Sequence, residues 1–280
     1  MKIMKGRRLQ ELRPRKSFAQ HWLKSEKALN QIIKAAQLQL GKERVLEIGP
    51  GTGILTRRLL PLVESLVAIE IDHDLCNQLA KELGDKEKFL LLQGDFLSLD
   101  LSSLLAPFPA FQKPNKVVAN IPYNITGPII EKVLGTIANP NPEPYDLLVL
   151  LVQKEVAERL VAKPESKAFG ALSVRVQYLA NCELICTVPA GAFYPPPKVD
   201  SAVVRLVPRR IQPAALDTRF LESLVRLGFA AKRKMLRNNL QSIVERDRLT
   251  QLLEKLNINP QARAEDLSVE QWVTLCNELL

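Results

Sequence analysis

The feature that most constrains the fold is an alternation of short apolar runs with amphipathic stretches over the first two-thirds of the chain. The apolar runs are rich in leucine and β-branched residues and cover residues 44–48, 66–71, 89–92, 116–119 and 147–152. This composition is typical of strands that are buried on both faces. Amphipathic stretches such as 74–83 and 128–137 separate these runs. The pattern therefore predicts βαβ units and a doubly wound α/β sheet that is mostly parallel and covered by helices.

The pattern changes in the last third of the chain. Two β-rich runs, 183–188 and 201–207, follow a helix-like segment and should add an antiparallel hairpin, with GAFYPPPKVD as its connection. After Pro208 only helical periodicity remains, which predicts a small all-helical C-terminal domain. The expected units are a basic segment at 1–22, a sheet domain at 23–208 and a helical domain at 209–280. A helical unit of this size should dock on the sheet domain, because it is small for independent stability.

The net charge of +9 is distributed unevenly. Residues 1–16 hold seven Lys or Arg and one acid, 17–204 hold 19 and 20, and 205–280 hold 13 and 9. Two basic ends on a nearly neutral body indicate a polyanionic partner, although a basic surface can also serve solubility alone. The segment FAAKRKMLRNNL is predicted to be helical and to bind phosphates, with a solvated helix face as the alternative. Its cations are Lys232, Arg233, Lys234 and Arg237.

Several classes of protein are not expected. No run approaches 18 apolar residues, which argues against a transmembrane helix, and the basic start lacks the apolar region of a signal peptide. The four cysteines form no CxxC pair, and the two histidines have no acidic or cysteine cluster beside them. Neither a metal site nor a disulfide framework is therefore predicted. These features favour a soluble protein of the reducing cytoplasm, without a membrane partner.

A glycine-rich turn follows the first predicted strand in VLEIGPGTGILT. Gly49, Gly51 and Gly53 form a GxGxG turn, with a helix expected to begin near Ile54. Glycines allow the backbone to turn tightly against a ligand, and a helix N-terminus favours negative charge. The pattern departs from the dinucleotide fingerprint GxGxxG, because its third glycine comes one residue early. By itself the turn indicates a nucleotide site or a purely structural loop.

Polar residues then follow the next three strands at intervals of about one βα repeat. Glu70, Asp95 and Asn120 should line one crevice with Gly49, since ligands of open α/β sheets bind outside the carboxyl ends of the strands. Glu70 is suited to accept hydrogen bonds from ribose hydroxyls, and Asp95 from the exocyclic amine of adenine. The combination favours S-adenosylmethionine over a nicotinamide cofactor, although acids can also end strands by chance.

The tetrapeptide Asn-Ile-Pro-Tyr at 120–123 is the most specific motif. The Asn120 side-chain oxygen and the Ile121 carbonyl could both accept hydrogens from an adenine amine, which would localise its lone pair for attack on a methyl group. Tyr123 offers a flat face for the base, and Phe193, beside three prolines, could complete a sandwich. The structural alternatives are an ordinary strand-to-loop turn and an aromatic side chain that covers the sheet edge.

These motifs together resemble the KsgA-type rRNA adenine dimethyltransferases, the ribosomal small subunit methyltransferase A family. The resemblance runs through RKSFAQHWL, EIGPGTGILT, NIPY, SKAFGALSVRVQY, FYPPPKVDSAVVRL and FAAKRKMLRNNL. It implies a Rossmann-like methyltransferase sheet and the dimethylation of N6 in two adjacent adenosines of a hairpin loop near the 3′ end of small-subunit rRNA. The family's positions for S-adenosylmethionine fall on His21, Leu23, Gly49, Glu70, Asp95 and Asn120, and the glycine-rich turn adds Gly51 as a further candidate.

The resemblance also has one departure and leaves alternatives open. Members usually read GQNFL where this chain reads AQHWL, so His21 stands in place of an asparagine. The expected partner is small-subunit rRNA within an immature 30S-type particle, bound by a monomer, with no DNA. The rival functions are a large-subunit rRNA adenine methyltransferase of the antibiotic-resistance type and a mainly non-catalytic rRNA-binding assembly factor.

Overall fold

The structure is a computed structural model that describes residues 14–15 and 20–280. The predicted basic segment at 1–22 therefore lies largely outside the described residues. The strands are β1 Trp22–Leu23, β2 Arg44–Ile48, β3 Ser65–Glu70, β4 Phe89–Gln93, β5 Lys116–Asn120, β6 Leu147–Gln153, β7 Ala180–Val188, β8 Phe193–Tyr194 and β9 Ser201–Pro208. The α-helices are α1 Glu26–Ala35, α2 Thr56–Leu59, α3 His73–Leu83, α4 Leu101–Leu105, α5 Thr126–Leu134, α6 Lys154–Leu160, α7 Ala171–Leu179, α8 Thr218–Gly228, α9 Leu236–Asn239, α10 Arg246–Lys255 and α11 Val269–Leu279.

Seven strands form one sheet in the order β4-β3-β2-β5-β6-β9-β7. Strands β2 to β6 are all parallel, and β9 and β7 add an antiparallel edge. The predicted α/β class is confirmed, and the predicted strand ends agree within one residue except that β7 begins three residues early. The order of the strands reverses between β2 and β5. In an open α/β sheet this switch point is where a crevice opens at the carboxyl ends of the strands.

A second, two-stranded sheet was not predicted. Strand β1 pairs antiparallel with β8, with Trp22 opposite Tyr194 and Leu23 opposite Phe193. Because β8 lies inside the GAFYPPPKVD connection, this pairing fastens the connection to the chain that precedes α1. Each strand is only two residues long, which is too short for a periodic pattern to reveal it in the sequence.

The helices after Pro208 pack on the sheet domain through a shared apolar core. A single cluster of buried side chains extends from Leu46 and Val117 in the sheet to Leu224 and Trp272 in α8 and α11. The approach of these two helices is close: a Cβ at Gly228 would lie 2.4 Å from the Trp272 ring. The helical C-terminal region is therefore present and docked, and the division into domains at 208/209 stays a prediction.

The prediction of a helix through Lys232, Arg233 and Lys234 is wrong. In the structure α8 ends at Gly228, and helix resumes only at α9, so these three residues lie on turns. Met235 forms an isolated antiparallel bridge with Arg263, which holds the backbone extended just before α9. Within the described residues, no helix has the length and apolarity needed to cross a membrane.

Candidate functional site

A cleft lies over the carboxyl ends of β2, β3, β4 and β5, at the switch point of the sheet. Switch points of open α/β sheets are a common location for small-molecule and cofactor sites. The sequence-predicted residues that line the cleft are His21, Leu23, Gly49, Gly51, Glu70, Asp95, Asn120, Ile121 and Tyr123. Phe193 and the four cations of FAAKRKMLRNNL are not among its lining residues.

Gly49 and Gly51 of the glycine turn line the cleft, whereas Gly53 supports the turn from outside its lining. Gly51 has a φ of +58°, and a Cβ there would lie 3.5 Å from the Trp22 ring. Gly53 has a φ of +77°, and a Cβ at this position would lie only 2.5 Å from the Leu79 side chain. Both positions therefore require glycine. Residues 51–55 form turns, and helix α2 begins at Thr56, which corrects the predicted start near Ile54.

Glu70 ends β3 and ties two backbone segments to the cleft wall. Its Oε2 accepts from the Gly51 N–H at 3.0 Å, and its Oε1 accepts from the Asp72 N–H at 2.9 Å. Burial raises the pKa of this carboxyl. Each carboxylate oxygen keeps a free lone pair, so both can still accept from ligand hydroxyls. Asp95 lies beyond β4 with Oδ1 accepting from the Leu97 N–H at 3.0 Å, and it also lines the cleft.

Asn120 is the last residue of β5, and Ile121 follows it where the chain leaves the sheet. The Asn120 amide donates from Nδ2 to the His21 carbonyl at 3.4 Å, which leaves its Oδ1 as the free end. No donor to the Ile121 carbonyl is found among the described residues. Pro122 follows and has no N–H of its own that could compete for these oxygens. The turn thus carries two candidate acceptors on residues that line the same cleft.

Tyr123 is held in a fixed orientation beside these acceptors. Its hydroxyl is hydrogen-bonded to the Ser201 hydroxyl at the start of β9, and burial raises its pKa. The His21 ring stacks on the Tyr123 ring, with centroids 5.9 Å apart and planes 20° apart. His21 also donates from Nδ1 to the Pro195 carbonyl at 2.7 Å, since a carbonyl can only accept. The residue that replaces the family's usual asparagine thus joins the Asn-Ile-Pro-Tyr turn to the proline loop.

The predicted stacking role of Phe193 does not agree with its position. Its side chain is 1% exposed and belongs to the apolar core that also contains Leu23. The cause is the register of β1 with β8, which sets Phe193 opposite Leu23 on the core side. Tyr194, the next residue, consequently faces outward and is 55% exposed.

One further side chain in the cleft, that of Glu47 in β2, was not predicted from the sequence. It is 1% exposed and lines the cleft, and its Oε2 has no hydrogen-bond partner among the described residues. Burial raises the pKa of Glu47 to about 8, and the nearby charge of Glu70 acts in the same direction. The signal was available, because an acid inside an apolar strand is unusual unless it is paired or functional.

The raised pKa of Glu47 predicts how stability depends on pH. Between its ordinary pKa of 4.5 and about 8, the folded chain keeps a proton that the unfolded chain releases, so stability falls as pH rises through this window. The loss can reach about 5 kcal/mol, since one pKa unit corresponds to roughly 1.4 kcal/mol. Glu47→Gln should make this slope clearly shallower in thermal melts recorded between pH 5 and pH 8, leaving the part that the raised pKa of Glu70 contributes. The exposed Glu64→Gln is the control, and equal slopes in all three proteins would contradict the assignment.

The basic cluster lies elsewhere on the surface. Lys232 donates from Nζ to the Lys167 carbonyl at 2.9 Å, and this hydrogen bond links the α8–α9 connection to the segment before α7. The same Nζ lies 3.7 Å from Glu265 Oε2. Arg233 and Lys234 are exposed like Lys232 but, among the described residues, make no ion pair, whereas Arg237 is half-buried in α9. Arg233 and Lys234 are therefore the part of the cluster that is most available to a polyanion.

The geometry can be compared with known proteins. The family model described as ribosomal RNA adenine dimethylase matches residues 11–280. The chain belongs to this family. It is 75% identical over 268 residues to the protein named ribosomal RNA small subunit methyltransferase A from Trichormus variabilis, covering 96% of this chain and 98% of that protein. The protein of the same name from Synechocystis is 56% identical over 274 residues, covering 95% and 96% of the two chains.

Solved structures agree with the family assignment. The crystal structure of a dimethyladenosine transferase from Plasmodium falciparum is similar with a TM-score of 0.76 and 28% identity, covering 92% of this chain and 97% of that one. The crystal structure of the 23S rRNA methyltransferase ErmE is similar with a TM-score of 0.72 and 28% identity, covering 92% and 99%. The Rossmann-like methyltransferase fold is thus confirmed.

The family uses S-adenosylmethionine as its methyl donor, and the residues of the cleft fit this compound. The donor is a cationic nucleoside with hydroxyl and amine donors, and the cleft offers acidic side chains at Glu70 and Asp95. The buried Glu47 Oε2, which has no partner among the described residues, is a further polar atom in its lining. Glu70 is suited to hold the ribose hydroxyls and Asp95 the adenine amine. The glycine turn lets the backbone come close to the ligand without Cβ clashes.

Proposed function

We propose that this protein transfers methyl groups from S-adenosylmethionine to N6 of two adjacent adenosines in a hairpin loop near the 3′ end of small-subunit rRNA. The observation that carries the proposal is the pair of acceptors at Asn120 and Ile121, set beside the Tyr123 ring in the cleft at the switch point. The 75% identity to a protein named for methylation of small-subunit rRNA supports the choice of substrate.

The chemical problem is the weak nucleophilicity of an aromatic amine, whose lone pair is delocalised into the ring. S-adenosylmethionine supplies an electrophilic methyl group when it is bound. The Asn120 Oδ1 and the Ile121 carbonyl accept the two N6 hydrogens, which favours a tetrahedral nitrogen with its lone pair outside the ring plane. Tyr123, anchored through Ser201, stacks on the base and fixes the direction of that lone pair. As the bond from N6 to the methyl carbon forms, the bond from that carbon to the sulfonium sulfur breaks and the donor leaves as a neutral thioether. The methylated amine then releases its extra proton to solvent, so Asn120 and Ile121 accept hydrogen bonds without having to accept a proton.

Access to the cleft requires that the adenosine leaves its stack in the RNA. The cost of extruding a base is a few kcal/mol and is lowest in a loop, and stacking on Tyr123 recovers about 1–3 kcal/mol. A hairpin loop is therefore a better substrate for this site than a duplex. The same cost makes duplex DNA an unfavourable partner.

The finer features of the partner are part of the proposal. We infer an immature small ribosomal subunit as the substrate particle, a monomeric enzyme, and action in the cytoplasm. The dense basic segment at 1–16 and the exposed Arg233 and Lys234 support a partner of high negative charge.

The rival function as a large-subunit enzyme has weaker support. The 23S rRNA methyltransferase ErmE shares the layout but only 28% of the sequence, against 75% for the small-subunit relative. The deciding experiment is transfer of labelled methyl groups to undermethylated small subunits and, separately, to large subunits, followed by nucleoside analysis. Dimethyladenosine in the small subunit alone is the expected result. Label in large-subunit rRNA alone would establish the rival, and RNA binding without any label would establish the assembly factor.

Reversing the charge at Arg233 and Lys234 should weaken RNA binding without affecting the donor. If the whole protein contacts about five phosphates, the plot of log K against log salt should have a slope near −3.5 to −4.5. Arg233→Glu with Lys234→Glu should make that slope shallower by about 1–2. Filter binding over a range of salt measures the slope, and calorimetry measures affinity for S-adenosylmethionine. An equal loss of both affinities would show that these side chains are structural.

A further inference from the structure

We propose that Tyr194 is a stacking platform for the nucleobase that flanks the extruded adenosine at the mouth of the cleft. The inference rests on the proposed function and deepens it, since it names a second contact with the same RNA. A loop that delivers one adenosine into the cleft leaves the neighbouring base unstacked outside it. An exposed aromatic face at that point would lower the cost of this arrangement.

The exposure of Tyr194 is the first observation. Its side chain is 55% exposed, although an aromatic ring gains by burial. On β8 it lies directly opposite Trp22 of β1, and Trp22 lines the cleft. Cross-strand partners lie on the same face of a sheet. The tyrosine is therefore one strand away from the wall of the cleft and faces outward.

The second observation is that the backbone on both sides of Tyr194 is held in place. The Lys24 N–H donates to the Ala192 carbonyl at 2.7 Å, and the His21 ring donates to the Pro195 carbonyl at 2.7 Å. Three consecutive prolines at 195–197 then restrict the following backbone. A platform that is already ordered loses little conformational entropy when a base stacks on it.

Lys24 is the third observation. Its Nζ lies 5.5 Å from the centroid of the Tyr194 ring, which is the geometry of a cation–π contact. In the part of the chain that the structure describes, this ammonium has no acidic partner within 4 Å. A base that stacks on the uncovered part of the ring would carry its phosphate past this free cation. Aromatic rings interleaved with cations are the arrangement that proteins use for single-stranded nucleic acid.

The experiment combines a protein variant with an RNA variant. Small subunits are reconstituted with rRNA in which the residue on one side of a target adenosine is abasic, and each side is tested in turn. Wild type, Tyr194→Ala and Tyr194→Phe are compared for KM and kcat of methyl transfer and for particle affinity. Phe108→Ala, which removes an exposed aromatic ring outside the cleft, is the matched control.

Tyr194→Ala should raise the KM for intact particles by roughly 5- to 150-fold, with kcat changed less than about twofold. Tyr194→Phe should behave like wild type, because it keeps the ring. The abasic substitution on the platform side should weaken wild-type binding by a similar factor and have little further effect on Tyr194→Ala. Such non-additivity identifies a direct contact, whereas a merely structural role gives additive losses.

Two results would contradict the proposal that Tyr194 is a stacking platform. One is an unchanged KM in Tyr194→Ala, and the other is additivity of the protein and RNA changes at both flanking positions. Failure of the proposed function is distinguishable, because wild type would then transfer no methyl group to any small-subunit adenosine. Affinity for S-adenosylmethionine should be the same in all variants, and a loss of it in Tyr194→Ala would point to a damaged cleft.

Discussion

Replacing Asn120 with alanine is expected to lower the kcat of methyl transfer by about 10²- to 10³-fold while RNA binding remains. This is the usual cost of removing one preorganised hydrogen-bonding group that acts in the transition state. Asn120 Oδ1 is one of two acceptors for the amine hydrogens, and the substitution leaves the Ile121 carbonyl alone. RNA affinity should persist, because cations and aromatic rings outside this contact provide it.

The measurement is single-turnover methyl transfer to undermethylated small subunits, together with filter binding of the same particles. Asn30→Ala is the matched control, since Asn30 is exposed on α1 and outside the lining of the cleft. A variant at position 120 that methylates at the wild-type rate would remove the acceptor from the mechanism. Proportional losses of binding and rate would instead show that Asn120 supports the fold of the turn.

Replacing Glu70 with alanine should weaken binding of S-adenosylmethionine by about 100-fold or more. Two hydroxyl donors to a carboxylate are worth about 1.5–3 kcal/mol each. The variant would also release the Gly51 N–H, which Glu70 Oε2 now holds at 3.0 Å, and so loosen the glycine turn. Both effects act on the same ligand, because Gly51 and Glu70 line the same cleft.

Calorimetric titration with S-adenosylmethionine tests this expectation. Glu64→Ala is the control, because that carboxylate is exposed just before the same strand. Glu70→Gln should lie between wild type and alanine, since an amide oxygen still accepts hydrogen bonds but carries no charge. Unaltered affinity in Glu70→Ala would mean that the ribose is held elsewhere, and a lower melting temperature with normal affinity would mean a structural role alone.

Local patterns were sufficient to predict the sheet and the residues at its carboxyl edge. Leucine-rich and β-branched runs identify buried strands, and β2 to β6 lie within a residue of their predicted ends. A parallel sheet brings those ends together, which is why the sequence assigns Gly49, Glu70, Asp95 and Asn120 to one crevice. The structure lines one cleft with all four, and their chemical roles are what the experiments above test.

The basic cluster shows where local pattern was insufficient. Residues 232–234 have good helix formers around them, yet they lie on turns. Directly after them, Met235 pairs with Arg263, 28 positions further along the chain. Tertiary pairing of this kind overrides a weak local preference. The charge of the segment was readable from its sequence, whereas the direction in which each cation points was not.

The chain's sequence alone determined its α/β class, its helical C-terminal region and the edge of the sheet that holds the site, since each follows from periodicity within a short window. Only the tertiary structure decided that the Tyr194 ring faces outward and the Phe193 ring faces the core. That choice depends on the register between β1 and β8, which are about 170 residues apart, and a shift of one residue would exchange the two rings. The tertiary structure also decided that the His21 ring stacks on Tyr123 and that the Glu47 side chain lines the cleft. Contacts between distant segments arise only when folding of the core brings them together.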